Sequence, residues 1–231
     1  MTTSPKRFAP IPLEEMTPEQ KSIAEELING PRGGIRGPFN ALLRNPTLTD
    51  RVRLLGDSIR FENSLPAALR EFAILITARF WSARYEWHAH SKLAVELGIS
   101  QEAIDAIGIG ETPQNLTEDQ SLIYQFCTEI LNDKDISDKT YAATVARFGE
   151  LTVLDILATT GYFGFVSVIL NAIRQPVPRR AEGLDVHALR RVRHAAPAAR
   201  RGRQRRLPLL LHAAQVRPGA GLRPRPGQVA E

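Results

Sequence analysis

The sequence predicts an all-α fold. Apolar residues recur at helical spacing through residues 10–178, and hydroxyl caps or prolines precede most of those runs. No alternating stretch persists long enough to build a sheet. At 231 residues the chain can bury a sizeable core without metal or disulfide staples. Its one cysteine, Cys127, excludes an internal disulfide framework, a CxxC redox pair and a multi-cysteine zinc site.

Each element has a local cause. Thr17-Pro18-Glu19-Gln20 supplies a hydroxyl cap, a proline at the first helical position and a glutamine three residues after the cap. Ile23, Leu27 and Ile28 then share a face, and Gly30-Pro31 ends the helix. GPRGGIRGP (30–38), with four glycines and two prolines, reads as a loop. FNALLRNP (39–46) reads as a short helical turn closed by Pro46, and residues 49–61 as an amphipathic helix capped by Thr49. Pro66 opens an apolar helix to about Arg79, and another runs from about Ala83 to Leu97, ended by Gly98. Ser100, Thr117 and Ser137 cap the next three. Thr152 to Arg174 forms the last and most buried.

Val153 to Ile173 approaches the length of a membrane span. Asp155, Thr159, Thr160 and two glycines interrupt it, so it reads as a core helix. The opening MTTSPKRFAPIP has no apolar h-region. A cytoplasmic protein with no membrane partner is expected.

The net charge of +5 divides unevenly. Residues 1–178, the expected helical domain, hold 17 Lys+Arg against 22 Asp+Glu. Residues 179–231 hold 13 Arg and only three acids, and use ten residue types. With no periodic apolar face, that tail is expected to be a disordered low-complexity segment. Clustered arginine suits a phosphate-binding arm. The missing types, however, include those with AT-rich codons, as a GC-rich gene read in a shifted frame would give. The second reading is preferred, and a nucleic-acid partner would have to come through the tail alone.

The informative stretch is REFAILITARFWSARYEWHAHSKLAVEL (70–97). In one unbroken rod Glu71 and His90 would lie roughly 28 Å apart. A serine at position 82 can instead cap a new helix and end the old one near Phe80. In an antiparallel hairpin Glu71 and His90 then come level, and Glu86 joins His90 one turn away at i,i+4. Two carboxylates and an imidazole converge in an apolar seam, while His88 points elsewhere on the helix. The same pair at i,i+4 is common on solvated faces. Here Glu71 sits inside the apolar run Ala67 to Thr77, where a carboxylate must be paired or neutralised. Trp81, Tyr85 and Trp87 cluster at the turn, and aromatics with polar tips line small-molecule pockets, though they also pack cores. A metal held by Glu71, Glu86 and His90 is the weaker alternative, because a second histidine is missing.

This stretch resembles the carboxymuconolactone decarboxylase family, which shares an all-helical fold with the alkylhydroperoxidase D-like proteins. The peroxidase branch has Glu, then CxxC twelve residues on, then His four residues after the second Cys. Glu71 and His90 match the Glu and the His, whereas Ala83 and Glu86 stand at the cysteine positions. GPFNALLRNP (37–46) and the closing VILNAI (168–173) extend the likeness over about residues 10–178. Without paired thiols, disulfide-type peroxidase activity is not expected. YEWHAH (85–90) is similar to the decarboxylase-type branch, which works without cysteine, metal or organic cofactor.

The resemblance implies loss of CO₂ from a carboxylated unsaturated lactone of aromatic catabolism, leaving an enolate that must be protonated at carbon. His90 is the expected proton donor, Glu86 its orienting or assisting group, and Glu71 the group that fixes its tautomer. Tyr85 and Trp87 are expected to bind substrate, and Arg36 to clamp its carboxylate. The likeness also implies a homotrimer or hexamer. Alternatives are a hydrolase or isomerase on a related lactone, a peroxidase-like member lacking its redox cysteines, and a non-catalytic oligomeric binding protein.

Overall fold

The computed structural model describes residues 7–177, and the expected tail at 179–231 lies outside them. Eight α-helices follow one another, with no strand among the described residues. Helix α1 (Pro18–Asn29) opens with the reciprocal capping box written in its sequence. The Gln20 N–H donates to Thr17 Oγ1, and the Thr17 N–H donates to Gln20 Oε1 at 3.0 Å. Helix α2 (Phe39–Leu42) is a single turn.

Helix α3 (Pro46–Asp57) begins earlier than expected. Pro46 opens the helix instead of closing the turn before it, since its missing N–H would be unsatisfied there anyway. Asn45 is the cap, accepting from the Leu48 N–H at 3.0 Å, and Thr49 is buried inside the first turns with its hydroxyl donated to the Asn45 carbonyl. The chain continues through a π-helical turn, Ser58–Glu62. Asp155 and Thr159 tie this turn to the last helix by accepting from Ser64 and Asn63.

The hairpin consists of α4 (Ala67–Phe80) and α5 (Arg84–Glu96). The reversal falls where expected but by another device. Ser82 does not cap α5; it sits in the left-handed region at φ 51°, and Ala83 takes the cap position with no side-chain bond. The Ala83 N–H donates to the Ala78 carbonyl at 2.8 Å, and the Ser82 N–H to Arg79 at 3.0 Å. This is a Schellman closure, whose left-handed residue is usually glycine. Ser82→Gly is therefore expected to raise stability by about 1 kcal/mol without altering the site, read as a higher urea midpoint at constant slope.

Helices α6 (Gln101–Ile109), α7 (Glu118–Asn132) and α8 (Asp138–Ile173) start at the predicted caps Ser100, Thr117 and Ser137. The predicted boundary before Thr152 appears as a kink inside α8. Gly149 there adopts φ 82° and ψ 163°, a conformation that glycine reaches without steric cost.

Helix α4 is the central element, packed against α5, α7 and α8. Its Phe72, Leu75 and Ile76 join a core built with α6, α7 and the first half of α8. Its Ile74 faces a second core formed by α1, α2, α3 and the end of α8. Each such side chain contributes about 1.5–3 kcal/mol on burial, enough together to hold one carboxylate, Glu71, within the same helix. The Asn171 side chain donates to the Trp81 carbonyl at 2.7 Å, fixing the hairpin corner to α8. By length and composition α8 could cross a membrane, but 56% of its most apolar stretch is buried within the bundle. Leu151, Leu154, Phe165 and Val168 form its exposed strip.

Candidate active site

The antiparallel hairpin brings Glu71 of α4 beside His90 of α5. Nδ1 of His90 lies 2.5 Å from Glu71 Oε2, and Nε2 lies 3.1 Å from Glu86 Oε2. All three side chains are buried, at 2% exposure for Glu71, 4% for Glu86 and 7% for His90. Glu86 stands in the first turn of α5, where the positive helix end favours a carboxylate. The Phe163 ring meets the imidazole edge-to-face, with centroids 5.2 Å apart.

Burial opposes charge on His90. The hydrogen bonds and negative charges of Glu71 and Glu86 outweigh it and raise the imidazole pKa from 6.5 to about 9. A carboxylate oxygen beside each ring nitrogen favours the protonated ring at neutral pH. Among the described residues no cluster of His, Cys, Asp and Glu is arranged as a metal site.

Glu86 and His90 open onto a cavity of about 220 Å³, with Glu71 behind them. Tyr85 and Arg36, the residues expected to contact substrate, are placed in its lining. The Tyr85 ring packs over Gly37, where a Cβ would come within 3.3 Å, and burial pushes its phenol pKa up. Arg36 is exposed at the cavity rim.

Trp87 is elsewhere, a correction to the sequence reading. It is 2% exposed within the first core, packed so closely on α6 that a Cβ at Gly108 would lie 3.1 Å from its ring. One residue after Glu86, it points about 100° further round the helix, away from the cavity.

Three polar side chains of the cavity are not singled out by the sequence: Arg32, Arg60 and Tyr162. Arg60 is carried by the π-helical turn, a feature frequent at functional sites. Arg32 looked like any loop arginine, and Tyr162 like any residue of an apolar helix. The four glycines of the 30–38 loop were the available signal, since they let the chain fold back over α5.

Cys127, on α7, is fully buried and outside the cavity lining. Burial pushes its thiol up to about 12, against a weak contact with Thr160, so the nucleophilic thiolate is absent at neutral pH.

No protein-family model matches the sequence, and no curated protein matches it. Solved structures do share the fold. One is an alkylhydroperoxidase AhpD core, an uncharacterized peroxidase-related protein from Ralstonia eutropha JMP134, with a TM-score of 0.63 and 16% identity. The match covers 77% of this chain and 95% of that one. Another is an uncharacterized peroxidase-related protein from Silicibacter sp. TM1040, with a TM-score of 0.62 and 13% identity over 79% of this chain and 97% of that one. The buried Glu71–His90–Glu86 chain is therefore carried on the alkylhydroperoxidase D-like helical fold.

Proposed function

We propose that this chain is an acid–base decarboxylase of a small carboxylated lactone or related unsaturated acid. The observation that carries the reading is an imidazolium clamped between two buried carboxylates, one side of which opens onto a cavity bearing three arginines.

In the reaction, the bond between the substrate carboxylate and its α-carbon breaks. CO₂ departs, and the electron pair passes into the conjugated carbonyl as an enolate. The proton on His90 Nε2, at the cavity wall beside Glu86, is delivered to carbon as the carbonyl re-forms, and solvent restores the imidazolium. Glu71 holds Nδ1, keeping the ring oriented and the acid form populated. The arginines stabilise negative charge as it moves from carboxylate to enolate. A pKa of about 9 suits a group that must hold its proton until the carbanion appears.

Thiol peroxidase chemistry finds no support in these residues. It needs an accessible thiolate and a resolving thiol, whereas the chain has one cysteine, buried and protonated. The functional test is incubation of the purified chain with a panel of carboxylated lactones. CO₂ release is expected, with a blank result for hydroperoxide and dithiol. Hydroperoxide turnover without CO₂ from any lactone would reverse the assignment.

A further inference from the structure

Helix α8 has an inner and an outer side. Tyr162, Phe163 and Val166 are buried and line the cavity. On the outer side Leu151, Leu154, Phe165 and Val168 are 41–69% exposed. With Ala158, Gly161 and Ala172 they fall at alternate spacings of four and three, an apolar repeat of seven that persists over about 32 Å of helix. Asp155 is the sole charged residue between Leu151 and Ala172, and it turns aside to accept from the Ser64 N–H and hydroxyl. On a straight helix such a repeat drifts by about 20° per heptad. A second helix wrapping left-handed along α8 follows that drift, whereas a flat surface does not.

Gly161 lies near the middle of this seam. A glycine inside a helix costs about 1 kcal/mol against alanine. Gly164 has a reason within the chain, since a Cβ there would stand 3.2 Å from Trp81 Nε1. Gly161 has no such neighbour: among the described residues, no atom beyond the adjoining helix backbone lies within 4 Å of the place its Cβ would take. Bare backbone facing open space suits the close approach of another backbone.

The seam is complementary to itself when a second copy is turned end for end. Leu151 then meets Val168 of the other copy, Leu154 meets Phe165, and Ala158 meets Gly161, each pair reciprocated by symmetry. Small residues fall at the crossing and large ones at both ends. Phe80 and Trp81, an edge-to-face pair each 39% exposed, border the strip where Trp81 covers Gly164. Together with the four large side chains of α8 they offer on the order of 600 Å² of apolar surface, enough for the apolar share of an interface of about 800 Å² per partner.

We propose that two copies of this chain pair α8 against α8, antiparallel about a twofold axis level with Thr159 and Thr160. The cavity lies on the other side of the helix and stays open in the pair. This interface is independent of the decarboxylase reading, and CO₂ release neither supports nor refutes it.

The test is the mass of the full chain by size exclusion with light scattering at micromolar concentration. An even multiple of 25.6 kDa is expected. Gly161→Leu and Leu154→Glu should each halve it with helical circular dichroism retained, because both positions face solvent in the single chain. A monomeric or trimeric wild type, or an unchanged mass in both variants, overturns the pairing. Cross-linking reads the register, as buried Cys127 takes no part. Residues 154 and 165 are roughly 16 Å apart on one helix, too far for an internal disulfide. Leu154→Cys combined with Phe165→Cys should give a covalent dimer on oxidation, and neither change alone should. A covalent dimer from Leu154→Cys by itself would mean parallel helices and overturn the proposed arrangement. A monomer that instead sediments with phosphatidylcholine vesicles, and ceases to in Leu154→Glu, would assign the seam to lipid and likewise overturn it.

Discussion

His90→Ala is expected to lower turnover of a carboxylated lactone by about 10²–10⁴-fold, the usual contribution of a positioned general acid. Helical circular dichroism without denaturant should stay as in the wild type, since α5 gains a strong helix former, although the two buried carboxylates left without their cation lower the urea midpoint. His90→Gln sharpens the result. Glutamine can still donate a hydrogen bond within the site, yet it has no proton to give to carbon. Equal inactivity of the two variants, measured as CO₂ release, identifies proton transfer as the role of the ring. Turnover within threefold of the wild type in either would show that another group protonates the product.

The second large effect concerns stability. Glu71→Gln is expected to cost about 3 kcal/mol at pH 7, the low end for breaking a buried ion pair when one partner remains in place. Its pH dependence has a definite sign. His90 binds its proton more tightly in the folded chain, at about 9, than at its ordinary 6.5. The stabilisation it brings is therefore complete below pH 6.5 and is lost as pH rises through about 9. Urea unfolding of the wild type should show this decline across pH 6.5–9. Glu71→Gln should flatten it, since removing that carboxylate withdraws a principal cause of the upward shift. A steep alkaline decline persisting unchanged in the variant would assign it to other groups.

Most of the architecture was legible because its causes are local. Thr17, Ser100, Thr117 and Ser137 announce helix starts through hydrogen bonds to residues two or three positions on, and all four do so in the structure. Pro46 reads as a terminator of the turn before it, yet the residue before a helix-opening proline is a natural cap, and Asn45 fills that role. Ser82 marked the right place for the wrong reason. A serine can cap a helix, but here the i to i−5 bond from Ala83 closes α4 and drives Ser82 to positive φ.

At the site, Glu71, Glu86 and His90 were legible because two of them lie one helical turn apart and the third follows from a single chain reversal. Arg32, Arg60 and Tyr162 come from three separate elements. Their meeting depends on how the loop, the π-helical turn and α8 pack, which no spacing within one helix encodes. Trp87 failed for the opposite reason. Nearness in sequence to Glu86 says nothing of facing when each residue turns the helix by about 100°.

The proposed proton transfer depends on the protonation of one ring, and ¹⁵N NMR of the His90 side chain across pH 5–10 reads it directly. Both ring nitrogens should stay protonated through pH 8, with loss of a proton centred near 9. A ring that is already neutral at pH 7, titrating at or below 6.5, would contradict the clamped imidazolium and the proton donor built on it.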